Sequence, residues 1–481
     1  MTEDVIFDDD PAKRDGTRPA QRDPEPMDSR NVKTAADARS LVEARGLSHV
    51  KLGVVDLDGV IRGKYMARDK FFDALEQGFK FCDVIFGWDS ADQLYDRSTF
   101  TGWHTAFPDA TARIDPASCR DVPTEENMLF FLGEFDGAAA ELCPRRLLRR
   151  VVGRAATMGL VATVAAEFEF FVFDETPHSI REKGYRDLKN LTPGWFGYSM
   201  LRTSVESDFH LALLKLSDDM DMPLEGLHTE TGPGVLEAAI QYTDALGAAD
   251  RAVIFKTFAK VWAQRRGKMM TFMAKWSNAY PGQSGHLHVS LRNAEGKPVF
   301  HEDGRPGNMS DTMRWFVGGQ QALMPELLAM VASTVNSYSR LIPGFWAPTD
   351  ATWGIENRTC ALRVIPGSPS SQRVEYRIAA ADINPYVAIA AALGSGLWGI
   401  ENRIEPSEPV TGNAYDMTHP AAGALPRTLS EAADRLVASS AARNLFGDVF
   451  VDHYAMTRHW EEREFRKTIT DWELARYFEI T

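Results

Sequence analysis

The sequence has few cysteines, no excess of positive charge and no long apolar run, and each shortage argues against a class of function. Cys82, Cys119, Cys143 and Cys360 are the four cysteines in 481 residues, widely spaced and without a CxxC pair. That spacing speaks against a disulfide framework or a zinc ribbon and makes a reducing cytoplasm the expected compartment. Acidic residues outnumber basic ones, 67 against 53, for a formal net charge of −14. Nucleic acids and anionic membranes are held through basic footprints, so neither is an expected partner. Nowhere do about eighteen apolar residues run together, as a membrane-spanning helix requires. Met1-Thr2-Glu3-Asp4 does not begin a signal peptide, for no cationic stretch leads into an apolar one. Internal repeats are also lacking.

What remains is an ordinary globular composition, 44% hydrophobic and 25% charged, long enough for two or three domains. Residues 1–33 carry few large apolar side chains and read as a flexible tail. Thr34 is placed to cap a helix that Gly46 ends. Residues 50–56 and 60–66 read as a hairpin about Asp58-Gly59, followed by a helix over 69–79. The aromatic, proline-containing stretch 87–115 shows no period and reads as loop or short irregular strands. A helix with proline in its first turn is predicted at 144–158, and the domain boundary falls just before it. The division is therefore a small α+β unit at 34–143 and a larger one at 144–481. In the latter, helices are predicted at 248–265, at 310–335 with an interruption near Pro325, at 385–404, and at 471–478, with a capping-box pattern at Thr428.

The chemistry is concentrated in short alternating stretches. In Glu167-Phe168-Glu169-Phe170-Phe171, an extended strand puts both glutamates on one face and Phe168 and Phe170 on the other. His286-Leu287-His288-Val289-Ser290 and Arg373-Val374-Glu375-Tyr376-Arg377 repeat the pattern. Glu230 and Glu237 bracket the turn Gly232-Pro233-Gly234. Each stretch alone describes a solvated sheet face or an ion pair. Together they supply five carboxylates and one or two imidazoles, a donor set that suits Mg²⁺ or Mn²⁺. Arg340, Arg358, Arg363, Arg373 and Arg377 lie within about forty residues, and cations beside arginines suit phosphoryl transfer.

These stretches, with Asn336-Ser337-Tyr338-Ser339-Arg340-Leu341-Ile342-Pro343-Gly344, Asn357-Arg358 and Asn384-Pro385-Tyr386, resemble in order the signature motifs of the glutamine synthetase family. The likeness runs from about Leu47 to the C-terminus. It implies an α+β protein: an N-terminal β-grasp domain, a catalytic domain built on a curved antiparallel sheet flanked by helices, and a homo-oligomeric ring, expected as a dodecamer, with active sites between neighbours. It further implies ATP as a substrate and two or more Mg²⁺ or Mn²⁺ ions per site. One ion would be held by Glu169, Glu230 and Glu237, the other by Glu167, His286 and Glu375. Arg340 and Arg377 resemble the contacts to the acid substrate, Arg358 and Arg363 the phosphate contacts, and Ser290 and Arg373 the nucleotide contacts. Asp83 is the nearest match to an aspartate that the family lends to the next subunit to deprotonate the amine, one place late, with Cys82 in the usual slot. The family reaction phosphorylates the γ-carboxylate of glutamate with ATP, and an amine then attacks the acyl phosphate.

The pattern departs from ammonia-using members at three places. Trp346 follows Pro343-Gly344-Phe345 where a glutamate would help bind ammonium; an indole offers instead a flat face for an alkyl chain or an organic ammonium. Pro281, just before Gly282, replaces an asparagine that contacts glutamate, and Val235 replaces a glutamine. Tyr415 resembles a tyrosine that some members carry adenylylated, although its flanks match poorly. The wording around Trp346 and Trp353 is similar to the γ-glutamyl-polyamine and γ-glutamyl-amine ligase branch. The expected activity is thus an ATP-dependent γ-glutamyl-amine ligase acting on a small amine or polyamine, with glutamine synthetase proper as the alternative. A non-catalytic ring scaffold or sensor gives no reason for six metal positions to be kept together. A hydrolase built on His286 and His288 leaves the arginines without a role.

Overall fold

The computed structural model describes residues 28–416 and 423–481. Most of the expected tail, residues 1–27, lies outside the described residues, but residues 28–33 join the fold. Ser29 Oγ donates to Asp121 Oδ2 at 2.6 Å, and Val32 is fully buried. Thr34 caps the helix Ala35–Ala44 through a capping box with Asp37. β1 (His49–Val55) and β2 (Ile61–Ala67) form the predicted hairpin, whose turn is closed by Asp56 Oδ1 accepting from the amides of Asp58 and Val60 at 3.0 and 2.9 Å.

The next helix, Arg68–Gln77, stops short of Phe79, which opens β3 (Phe79–Cys82) after the left-handed Gly78. The stretch read as loop or short irregular strands contains β4 (Asp109–Ile114), paired with β3 and with β6 (Leu129–Phe135). Its inward residues Ala110 and Ala112 are too small to give the period-2 signal of a strand. With the short β5 (Arg120–Asp121) these strands make a six-stranded mixed sheet in which β1 and β6 run parallel.

β7 (Leu160–Phe173) is the axis of a second, nine-stranded sheet. One side of β7 pairs with β12 (Gly285–Asn293); the other pairs with β9 (Val235–Ile240), beyond which lies β8 (Leu224–Thr229). β10 (Thr243–Asp244) and β11 (Met269–Thr271) join its two ends. Outside β12 follow β15 (Arg373–Tyr376), β14 (Leu362–Ile365) and β13 (Trp353–Ile355), the last pair parallel and the rest of the sheet antiparallel.

Along β7 the alternation is as predicted: Ala166, Phe168 and Phe170 are buried while Glu167 and Glu169 occupy the opposite, half-buried face. Phe168 and Phe170 meet Phe272 with ring centroids 6.0 and 5.2 Å apart, so one face of the strand is locked into the core. Helices Pro144–Thr157, Ala245–Gln264, Asp311–Val331 and Pro385–Asn402 supply the apolar layer beneath. Pro325 does not interrupt its helix. Burial of Leu323, Met324, Leu327 and Leu328 around it outweighs the one backbone bond that proline removes.

Arg145, 2% exposed, joins the two sheets. Its guanidinium reaches Glu134 Oε2 at 2.8 Å and Asp115 Oδ2 at 2.6 Å on the first-sheet side, and Asp250 at 3.0 and 2.9 Å beneath the second. Tyr386 completes the buried group by donating to Asp250 Oδ1 at 2.5 Å. Nearby, the side-chain amide of Asn384 donates to the carbonyls of Asp56 and Leu57 at 3.0 and 3.2 Å.

Candidate active site

The strand register brings the singled-out residues onto one face. His286 is paired with Glu167 across β12 and β7, Glu169 with Glu237 across β7 and β9, His288 with Glu375 across β12 and β15, and Arg363 with Glu375 across β14 and β15. Neighbouring side chains on one sheet face stand within about 5 Å, so five strands deliver a charged cluster without any loop having to find it. A cavity of about 550 Å³ opens over this face.

Glu167, His286 and Glu375 form a first group whose potential ligand atoms lie within 4.8 Å of one another. His286 Nδ1 is 3.4 Å from Glu375 Oε1 and 3.9 Å from Glu167 Oε2, and His286 Nε2 is buried without a partner among the described residues. Burial, with Arg377 nearby, holds the imidazole well below its ordinary pKa, in the neutral form that a metal ligand needs. Glu375 is instead drawn down to about 2 despite burial, chiefly by Arg377. His288, from the same strand, places Nε2 3.1 Å from Glu167 Oε1.

The second group differs from the sequence reading. His228, Glu230 and Glu237 have ligand atoms within 4.8 Å, with His228 Nε2 3.3 Å from Glu237 Oε1. Glu169 sits beside them as the strand partner of Glu237, and its Oε2 accepts from the Ser284 amide at 2.8 Å. The turn between Glu230 and Glu237 depends on Gly234, which has φ 67 and at which a Cβ would stand 2.6 Å from the Val172 carbonyl oxygen. Burial raises Glu237, and burial together with Glu237 pushes Glu169 up to about 8. Carboxylates driven toward protonation by burial and by one another, with the neutral imidazole of His286 in the first group, whose Nε2 has no partner among the described residues, fit divalent cations held by oxygen and nitrogen.

Arg340 is buried at 1% exposure beneath the segment 282–284. It donates to Ile378 O and Ser284 Oγ at 2.9 Å and to Arg377 O at 3.0 Å, while its Nε has no partner among the described residues. A Cβ at Gly282 would stand 2.6 Å from Arg340 Cγ and 2.7 Å from the Ala274 carbonyl, so only glycine lets the chain pass there. Arg358, Arg363, Arg373 and Arg377 all wall the cavity. Arg377 and Arg363 bond Glu375, and Arg363 bonds Glu356. Ser290 lies in an adjoining cavity of about 430 Å³ whose wall shares Glu167, His288 and Arg373 with the first.

Trp346 stands at the rim, 58% exposed and in the left-handed region at φ 60. Tyr198, also left-handed at φ 54, shares the rim and stacks on His228 with ring centroids 4.5 Å apart. Burial and Glu230 push its hydroxyl up to about 12. Asp83 is elsewhere: it opens a short turn after β3, where its carboxylate accepts from Thr101 Oγ1 at 2.6 Å, and it is not among the cavity walls. Tyr415 is half-buried, its hydroxyl donating to the Ala347 carbonyl at 3.1 Å.

Three functional candidates escaped sequence reasoning. His228 carries a signal that was there to be used, since it lies two places before Glu230 and therefore shares its face. Tyr198 sits in an irregular segment with no period to mark it. Gln283, a wall residue of the cavity, was passed over between Gly282 and Ser284.

Comparison with known proteins agrees with this geometry. Residues 141–477 match the family model described as glutamine synthetase, catalytic domain. The chain is 44% identical over 437 residues to type-1 glutamine synthetase 2 of Dictyostelium discoideum, covering 90% of this chain and 84% of that one. It is 38% identical over 458 residues to glutamate–isopropylamine ligase of a Pseudomonas species, covering 94% of this chain and 100% of that one. A solved structure of a GmaS/ADP complex superimposes with a TM-score of 0.80 at 26% identity, over 92% of this chain and 99% of that one.

Proposed function

Since the chain belongs to the glutamine synthetase family, we propose that it is an ATP-dependent ligase joining an organic amine to the γ-carboxylate of glutamate. The observation that carries the choice of amine is Trp346 in the wall of the cavity that Tyr198 and the carboxylate face also line. An indole cannot accept a proton from ammonium, whereas aromatic faces over a carboxylate cluster suit a cation with an alkyl body. The name of the Pseudomonas relative points the same way. That of the Dictyostelium relative favours ammonia as acceptor, which is the second reading.

In the proposed reaction Arg340 and Arg377 orient the acid, Arg358 and Arg363 offset the charge of the transferring phosphoryl group, and Ser290 and Arg373 contact the nucleotide. Glu167, His286 and Glu375 would hold one divalent cation, and Glu169, Glu230 and Glu237, joined by His228, another. When bound, Mg²⁺ or Mn²⁺ would supply positive charge to the phosphate oxygens, the single imidazole of the first group tilting the choice toward Mn²⁺. The γ-carboxylate takes the phosphoryl group to become an acyl phosphate, and the amine displaces phosphate from that carbon. A ring assembly, proposed as a dodecamer, would bring Asp83 of a neighbouring subunit to deprotonate the amine. The proposed division at 34–143 and 144–481 sets that contributing unit apart from the catalytic one. Among the described residues no helix is long and apolar enough to cross a membrane, and the four cysteines are unpaired, which supports a cytoplasmic setting.

The test is phosphate release from ATP with glutamate and a panel of amines, with product mass. An organic amine is expected to give a higher kcat/KM than ammonium. Preference for ammonium over every organic amine overturns the reading.

A further inference from the structure

Pro281 removes a contact that the resemblance places on glutamate, because proline brings neither a side-chain amide nor a backbone N–H. Two residues on, Gln283 is 1% exposed, walls the cavity, and has a buried Oε1 with no hydrogen-bond partner among the described residues. Buried amide oxygens are rarely left unpaired, and one on a residue that walls a cavity is explained by a donor arriving with a ligand. The backbone on both sides of the side chain is fixed: Gln283 N donates to Ala274 O at 2.7 Å, and Gln283 O accepts from Ala381 N at 3.0 Å. Its neighbour Ser284 is pinned between Glu169 Oε2, which accepts from the amide at 2.8 Å, and Arg340 Nη2, which donates to Oγ at 2.9 Å. Arg340 in turn has an unpartnered Nε.

An unpaired acceptor next in the chain to a residue bonded by a guanidinium whose Nε is still free among the described residues matches a zwitterion. We infer that Gln283 selects the acid substrate, its Oε1 accepting a hydrogen bond from the α-ammonium group of glutamate in place of the contact that Pro281 lacks. The inference rests on the reading that glutamate is the acid.

The experiment compares glutamate with glutarate, which has both carboxylates and no α-ammonium. Hydroxylamine serves as a small acceptor alongside the organic amines. Gln283→Met keeps the length and volume of the side chain and removes the amide. Loss of a hydrogen bond to a charged group should raise the KM for glutamate about tenfold to a hundredfold. The KM values for glutarate, ATP and the acceptor should stay put, as should ADP binding by calorimetry and the thermal midpoint. Gln283→Leu is the second variant if methionine disturbs the packing. An unchanged glutamate KM, or a parallel rise for glutarate, overturns the inference. If wild-type protein uses glutamate with ammonium or hydroxylamine but with no organic amine, the amine-ligase reading fails while Gln283 is still scored. If glutamate supports no turnover with any acceptor, both fall.

Discussion

Glu169 and Glu237 stand directly opposite each other on adjacent antiparallel strands. Like charges at such a position repel, and burial increases the cost. Removing divalent cations with a chelator should therefore lower the thermal midpoint, and Mn²⁺ or Mg²⁺ at about a hundred times its dissociation constant should restore about 2.7 kcal/mol. Glu169→Gln should stabilise the metal-free protein and shrink the metal-dependent shift. Scanning calorimetry checks both, and a midpoint indifferent to metal would sink the assignment of this face.

Trp346→Ala should raise the KM for organic amines about tenfold while leaving that for glutamate unchanged, since an aromatic contact to an organic cation is worth roughly 1–2 kcal/mol. Trp346→Glu should improve the use of ammonium relative to organic amines. Initial rates with isopropylamine and ammonium distinguish the outcomes, and equal effects on both acceptors would remove Trp346 from the amine pocket.

Gly282→Ala puts a methyl group 2.7 Å from the Ala274 carbonyl oxygen and 2.6 Å from Arg340 Cγ. Neither the backbone nor the buried guanidinium can yield cheaply. The expected result is a fall in kcat/KM for glutamate of at least about tenfold, from misplacing a group that orients the substrate, with nucleotide binding retained. Retained activity would show that the segment is softer than its contacts imply.

Acid should loosen the joint between the C-terminal helix Asp448–Phe465 and the N-terminal part of the fold. His453 is buried, with Nε2 2.8 Å from the Phe86 carbonyl, between Tyr95, Phe100 and Arg458. Burial holds its pKa down at about 4. Between that value and about 6.5, the unfolded chain binds a proton that the folded one refuses, so stability is full above about pH 6.5 and declines as pH falls through the window, by up to about 3 kcal/mol. His453→Gln keeps a donor but does not titrate. From pH 7.5 through 6 to 5 the urea midpoint of the wild type should fall relative to that of His453→Gln; a gap between the two proteins that does not change with pH would show that His453 is silent.

Much of the carboxylate face was legible because strands obey a period of two. Once Phe168 and Phe170 are assigned to the core, Glu167 and Glu169 have one face left, and the same holds for His286 against Leu287. The register between strands was not legible. That Glu169 meets Glu237 rather than a residue two places away is set by long-range pairing, which no local pattern encodes. Within the stretch read as loop or short irregular strands, β4 could not be located because Ala110 and Ala112 give no contrast, and the helix expected around Pro325 runs on without the expected interruption because packing overrode propensity. Gln283 illustrates a third limit: an unpaired atom is a property of surroundings, and a sequence displays none.

Arg145 has a bearing on how this chain can be divided. Its one guanidinium neutralises carboxylates on both sides of the joint, Asp115 and Glu134 on the side of the first sheet and Asp250, on the helix Ala245–Gln264, on the other. A fragment ending before Pro144 would carry Asp115 and Glu134 without Arg145, and one starting there would leave Arg145 with Asp250 as its remaining partner of the three. Domain swapping, truncation and fusion at that seam would thus each meet an electrostatic fault. A recombined version would have to inherit Asp115, Glu134, Arg145 and Asp250 as a single unit.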